Sequence, residues 1–117
     1  MLSYVTTCVA TRQILARATN FEWDERKNKD NLEKHGVDFA DGQELFSGQW
    51  PFLVVADTTE DYGEDRWIGI GTVSRRILVA IFAEPEPSVI RLISLRKANL
   101  EERTQYEEAL KDELGTS

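Results

Sequence analysis

The chain of 117 residues contains one cysteine, one histidine and three prolines. A lone Cys8 excludes an intrachain disulfide, and without a Cys/His cluster there is no zinc site of recognisable spacing. Both absences fit a reducing cytoplasm, and no metal or cofactor is expected. No run approaches the roughly 18 apolar residues that span a bilayer, so a membrane partner is not expected either. A surplus of positive charge is also missing. Fourteen Lys and Arg stand against 21 Asp and Glu, a net charge of −7, which opposes any broad attraction to nucleic acid. Contact with phosphate would have to be local, in a small basic cleft within an acidic body; an acidic surface for a basic protein partner is the other reading. Finally, the first twenty residues hold two arginines, several Ser and Thr and no acid. They read as a flexible extension or an upstream start; an organelle presequence is the sharper alternative.

With 41% hydrophobic and 30% charged residues, the remainder suits one globular domain over residues 21–117. FEWD at 21–24 reads as a short strand or entry segment. Asp24 is placed to cap a helix that runs to His35, and Gly36 to stop it. VDFADGQELFSGQ at 37–49 predicts a second helix, although Gly42 interrupts it. The β-branched runs FLVVA (52–56), RWIGIGTV (66–73), ILVAIFA (77–83) and VIRLISL (89–95) predict strands, with turns at SRR (74–76) and EPEPS (84–88). A last helix is expected from Asn99 to about Leu114. This order predicts an α+β fold: a four- to five-stranded, mostly antiparallel sheet packed with two N-terminal helices and one C-terminal helix. Gly69 and Gly71 alternate with Trp67 on one strand face, a pattern that lets a helix approach closely.

The stretch FEWDERKNKDNLEKHG is unusual for its near-absence of oil. Leu32 is the only strongly apolar residue between Asp24 and His35, while Asp24, Lys27, Asn31, Lys34 and His35 fall within roughly a 100° arc of a helix. A solvated charged face explains that arc, and so does one wall of an anion site. His35 beside a helix-ending glycine also makes a favourable cap.

The motif F-E-W-D-x-x-K-x-x-x-N-x-x-K-H-G-V-x-F, from Phe21 to Phe39, resembles the opening signature of the BrnT toxins of type II toxin–antitoxin systems. DYGEDRW (61–67) resembles that family's Y-G-E-x-R segment. IRLISLRKA (90–98), followed by Glu102 and Tyr106, resembles its I-R-I-I-S-A-R-x-A and closing helix, with Leu95 where the family usually has alanine. The resemblance implies a RelE-like fold and a ribonuclease that arrests translation. It further implies neutralisation by a cognate BrnA-like antitoxin in a heterotetramer, with DNA contacted only through that antitoxin.

Attack of a ribose 2′-hydroxyl on the adjacent phosphate requires a proton carrier and cations for the charge gathering on phosphorus. His35 is the one side chain here whose unperturbed titration lies near neutrality. Arg66, Arg91 and Arg96 are candidates for gripping phosphate through their planar forks, with Lys27 assisting from the helix. Asn31, Lys34 and Tyr106 are candidate RNA contacts, Tyr106 by stacking. In a regular strand Arg91 and Arg96 would point to opposite faces, so one of them is open to a structural role; Arg96, at the strand's end, can swing towards a cleft, and Arg91 can equally pair with Glu84, Glu86 or a helix acid. The expected site is a cleft between the first helix and the sheet, lined by His35, Lys27, Arg66 and Arg96. The alternative is a non-catalytic interaction subunit that binds an antitoxin and modulates its grip on promoter DNA.

Overall fold

Short β-branched runs separated by tight turns pair here into one five-stranded sheet with the order β1-β5-β4-β3-β2. The computed structural model describes residues 20–47, 51–58, 61 and 63–113, with side chains as far as 111. The expected extension therefore lies outside the described residues, apart from Asn20, which already belongs to β1. In chain order the elements are β1 (Asn20–Glu22), α1 (Glu25–His35), α2 (Phe39–Gly42), a 3₁₀ turn (Gln43–Phe46), β2 (Leu53–Ala56), β3 (Trp67–Val73), β4 (Arg76–Glu86), β5 (Val89–Lys97) and α3 (Leu100–Glu113). All pairings are antiparallel except β1 with β5, where Phe21 lies beside Ile90 and Glu22 beside Arg91.

The helix-end signals in the sequence act as expected. The Asp24 carboxylate accepts from the Arg26 and Lys27 amides, and Gly36 takes φ 72° while its N–H donates to the Leu32 carbonyl. That left-handed conformation is one most residues avoid, so the helix stops there. The second predicted helix is shorter than its sequence range: one α-turn tightens into the 3₁₀ turn and ends at Phe46. β4 runs three residues beyond the predicted strand, through Pro85 to Glu86. The pairing with β5 shifts register between Ala83 and Glu86, which accommodates a proline within the strand.

Two apolar layers sandwich the sheet. One gathers Val37, Phe39, Leu45, Phe46 and Phe52 against Leu78, Ala80, Phe82, Ile90, Leu92 and Leu95. At its centre Phe46 meets Phe52 and Phe82 edge-on, at 4.9 and 5.0 Å between ring centres, an arrangement that suits the ring quadrupoles. Gly69 makes room for this cluster: a β-carbon there would stand 2.3 Å from the Phe52 ring. The close approach predicted for the two glycines is thus made largely by a phenyl ring, with Leu45 of the 3₁₀ turn reaching over Gly71. The opposite layer joins Leu53, Ile68, Ile70 and Val79 to Tyr106 of α3.

One irregularity in β5 redirects its side chains. Ser94 pairs with Ile81 but Leu92 with Phe82, so Ile93 is an extra residue opposite no partner. A bulge of this kind resets the alternation of faces. Before it, Ile90 and Leu92 enter the aromatic layer; after it, Leu95 does so as well, three residues on instead of two or four.

Candidate functional site

The bulge at Ile93 decides where the arginines of β5 point. Arg91 lies beside Ala83, and Arg96 beside Val79, whose side chain belongs to the α3 layer. Both guanidiniums therefore leave the sheet on the α3 face. A regular strand would have separated them, so the expectation of opposite faces is overturned by this single inserted residue. Arg66, just before β3, has the strand parity of Ile68 and joins the same side.

Each of these arginines is held by carboxylates. Arg91 donates from Nε to Glu22 at 2.8 Å and from Nη1 to Glu64 at 3.4 Å. Glu64 also accepts from Arg66 Nε at 3.2 Å, so Glu22, Arg91, Glu64 and Arg66 form a chain of alternating charge across one end of the sheet. The hydrogen bond it donates to Glu22 is the main reason the Arg91 guanidinium holds its proton even more firmly than usual. Arg96 stands roughly 15 Å along the strand from Arg91. It forms a two-bonded pair with Glu102 of α3, both contacts at 2.8 Å, and this pair is the first cause that keeps the Glu102 carboxyl below the ordinary glutamate range. With the Arg96 side chain 37% exposed, such a pair contributes at most about 1 kcal/mol. Its larger effect is to fix the orientation of the fork. Glu102 also accepts from the Asn99 amide while Asn99 Oδ1 accepts from the Glu102 amide, a reciprocal cap that starts α3.

The polar helix α1 does something different. Its only buried residue is Asn31. The Asn31 side chain accepts from the Leu95 amide at 3.1 Å and donates to the Leu95 carbonyl at 2.7 Å and the Val37 carbonyl at 3.0 Å. Beyond Arg91 strand β5 has no neighbouring strand on the β1 side among the described residues, and the Asn31 amide takes the place of a strand's peptide group there. Asn28 adds a second tie, donating to Asp38 and accepting from the Phe39 amide. Trp23 braces the helix start edge-on against Phe39, with ring centres 6.2 Å apart. The scarcity of oil in FEWDERKNKDNLEKHG thus has a structural cause: the helix is fastened by amides, and Leu32 is 45% exposed.

Two of the proposed RNA contacts are corrected by this arrangement. Asn31 is buried with its hydrogen-bonding capacity spent on backbone. Tyr106 is 1% exposed, and its hydroxyl donates to the Pro51 carbonyl at 2.8 Å and accepts from Thr72 Oγ1 at 3.0 Å, so its ring is a core element and cannot stack on a base. Lys27 and Lys34 are exposed, and His35 is half-buried with no hydrogen bond or ion pair among the described residues. His35 follows Asn31 by one helical turn on the same side, along the open edge of β5. The structure does not gather His35, Lys27, Arg66 and Arg96 into one hollow: Arg66 and Arg96 occupy opposite ends of the α3 face, and α1 borders the strand edge. Missing from the sequence reading were Asn28 and the acids Glu22 and Glu64. The first lay in plain view in the helix signature, and the others become visible only through the parallel β1–β5 pairing and the loop before β3. Among the described residues no three His, Cys, Asp or Glu side chains are grouped to hold a metal ion, and no helix is long and apolar enough to cross a membrane.

A family model described as "Ribonuclease toxin, BrnT, of type II toxin-antitoxin system" matches residues 23–102, most of the chain. The chain belongs to the BrnT family. Its fold is similar to the 1.1 Å crystal structure of the Brucella abortus ribonuclease toxin BrnT, with 32% sequence identity and a TM-score of 0.53 over 69% of this chain and 99% of that one. Comparison with curated proteins gives no match. This likeness supports the α+β architecture of the present chain, a five-stranded, mostly antiparallel sheet with helices. Membership of this toxin family carries with it an antitoxin partner and ribonuclease activity as the family's general function.

Proposed function

We propose that this BrnT-family chain is a metal-independent endoribonuclease of RelE-like kinship that cuts messenger RNA in the cytoplasm, arrests translation and is silenced by a cognate antitoxin. The observation that carries this reading is the β5 bulge, which turns Arg91 and Arg96 onto the face that also bears Arg66. An RNA strand crossing that face meets guanidinium forks, each oriented in advance by a carboxylate, and charge developing on phosphorus is what such preset donors stabilise. His35 is the proton carrier in this proposal, which requires the RNA to pass from the arginine face round the edge of β5 to α1, where Lys27 and Lys34 supply phosphate contacts from the exposed side of the helix. The antitoxin forms a heterotetramer with the toxin, covers the arginine face and alone touches DNA.

A second reading has its own support. All three arginines are ion-paired, and His35 stands apart from them, as suits an interaction subunit that binds an antitoxin and tunes its hold on promoter DNA. The two separate in one experiment. Purified protein is incubated with messenger RNA in EDTA, alongside His35→Ala and Arg96→Ala. Under the ribonuclease reading wild type cuts the RNA, and each variant loses about 100-fold or more in rate. Uncut RNA in every lane would leave the interaction reading standing, and undiminished cutting by His35→Ala would remove the imidazole from the mechanism.

A further inference from the structure

At the end of the sheet away from Arg66 and Arg91, a cleft of about 430 Å³ opens between the β3–β4 turn, the end of β5 and the start of α3. Four cations line it, Arg75, Arg76, Lys97 and Arg103, with a single acid, Glu107, and the side chain of Leu100. In a protein of net charge −7 this is a local reversal of sign. Arg76 reaches Asp41 only at 3.4 Å. Arg75, Lys97 and Arg103 have no side-chain hydrogen bond or ion pair among the described residues.

Backbone conformation gives a second, independent observation. The turn joining β3 to β4 is Ser74–Arg75, with φ 48° and 68°. Paired positive φ values are those of a two-residue turn that favours Asn-Gly, since a side chain at either position strains the backbone. An arginine here carries a conformational cost that glycine would avoid, and no side-chain hydrogen bond or ion pair among the described residues offsets it. Arg75 instead lines the cleft.

We propose that this cleft is a subsite for the phosphate backbone of single-stranded RNA, holding the strand on one side of the point of attack. The inference rests on the ribonuclease reading for the identity of the polyanion. Lys97 follows Arg96 on β5 but pairs with Leu78 and so leaves the sheet on the other face; a strand lying over Arg96 reaches the cleft by passing round the end of the sheet, where Arg103 of α3 lines it. Three arginine forks match phosphate oxygens two bonds at a time, and Leu100, 71% exposed, offers an apolar contact to a sugar or base.

The test uses the full chain and a fluorescent 20-mer RNA that is 2′-O-methylated throughout, so that binding is read without cutting. In anisotropy titrations Arg75→Gln/Arg103→Gln weakens binding about tenfold and lowers the slope of log affinity against log salt by about 1.4, roughly 0.7 for each lost phosphate contact. Glu107→Gln shifts affinity the other way. Arg75→Gly raises the melting temperature by a few degrees while weakening RNA binding, a split that misfolding cannot produce. Unchanged affinity and salt slope in a folded double variant would overturn the proposal. So would equally tight, cleft-dependent binding of a 20-residue polyglutamate, which would assign the cleft to an acidic peptide. Cleavage of unmodified RNA is scored separately. Binding that depends on the cleft without any cutting keeps the subsite and sinks the catalytic reading, whereas cutting with cleft-independent binding does the reverse.

Discussion

The helices α1 and α3 are both strongly charged, and each is fastened to the sheet by one fully used polar side chain, but the two anchors differ in kind. Asn31 joins α1 to the exposed edge of β5 through its amide, with no apolar residue of that helix buried. Tyr106 pins α3 over the opposite face with a ring in the core and a hydroxyl on Pro51 and Thr72. In α1 the hydrogen bonds are the attachment; in α3 they orient an attachment made by burial.

That contrast can be tested in order of effect. Asn31→Ala leaves the Leu95 amide and two carbonyls without partners, and a loss of about 3 kcal/mol is expected in urea unfolding. Asn31→Asp keeps the shape but loses both N–H donors, so it should fare no better. Tyr106→Phe keeps the ring and deletes the hydroxyl, for about 1.5 kcal/mol by the same measurement. If the two losses came out equal, the distinction between amide-held and ring-held helices would fall. Glu102→Gln weakens the cap of α3 and the Arg96 pair, costing about 1 kcal/mol at pH 7. Because the Arg96 hydrogen bond depresses the folded carboxyl, that stabilisation is present above the ordinary glutamate value of 4.5 and disappears as the pH falls below it. Melting temperatures of wild type and Glu102→Gln should therefore converge in acid. Leu32→Ser, at the one large apolar position of α1, should change stability by less than about 0.5 kcal/mol, since that side chain is largely in water already.

Much of this was legible in the residues. The cap at Asp24, the stop at Gly36 and the four β-branched runs each state their structure locally, and the observed elements follow them closely. The hairpin at Ser74–Arg75 was legible as a place but not as a strained conformation. What stayed hidden depends on pairing across long distances. Nothing in VIRLISL marks Ile93 as an extra residue, because the bulge arises from register against β4. Without it, parity puts the two β5 arginines on opposite faces. Asn31 lay in a polar arc that suggested a ligand, and only the vacancy beside Leu95 on β5 explains it. The basic cleft was scattered through the sequence as Arg75, Arg76, Lys97 and Arg103, and only the turn and the start of α3 bring them together.

The Asn31 amide has one more effect, on what other chains can do. A strand with unpaired peptide groups invites a foreign strand to add alongside it, the first step of swapping and fibre growth. By occupying the peptide group of Leu95 from within the same molecule, Asn31 withdraws that invitation in the segment of β5 beyond Arg91. Any partner that docks by pairing with β5 beside Leu95 must first pry the helix away.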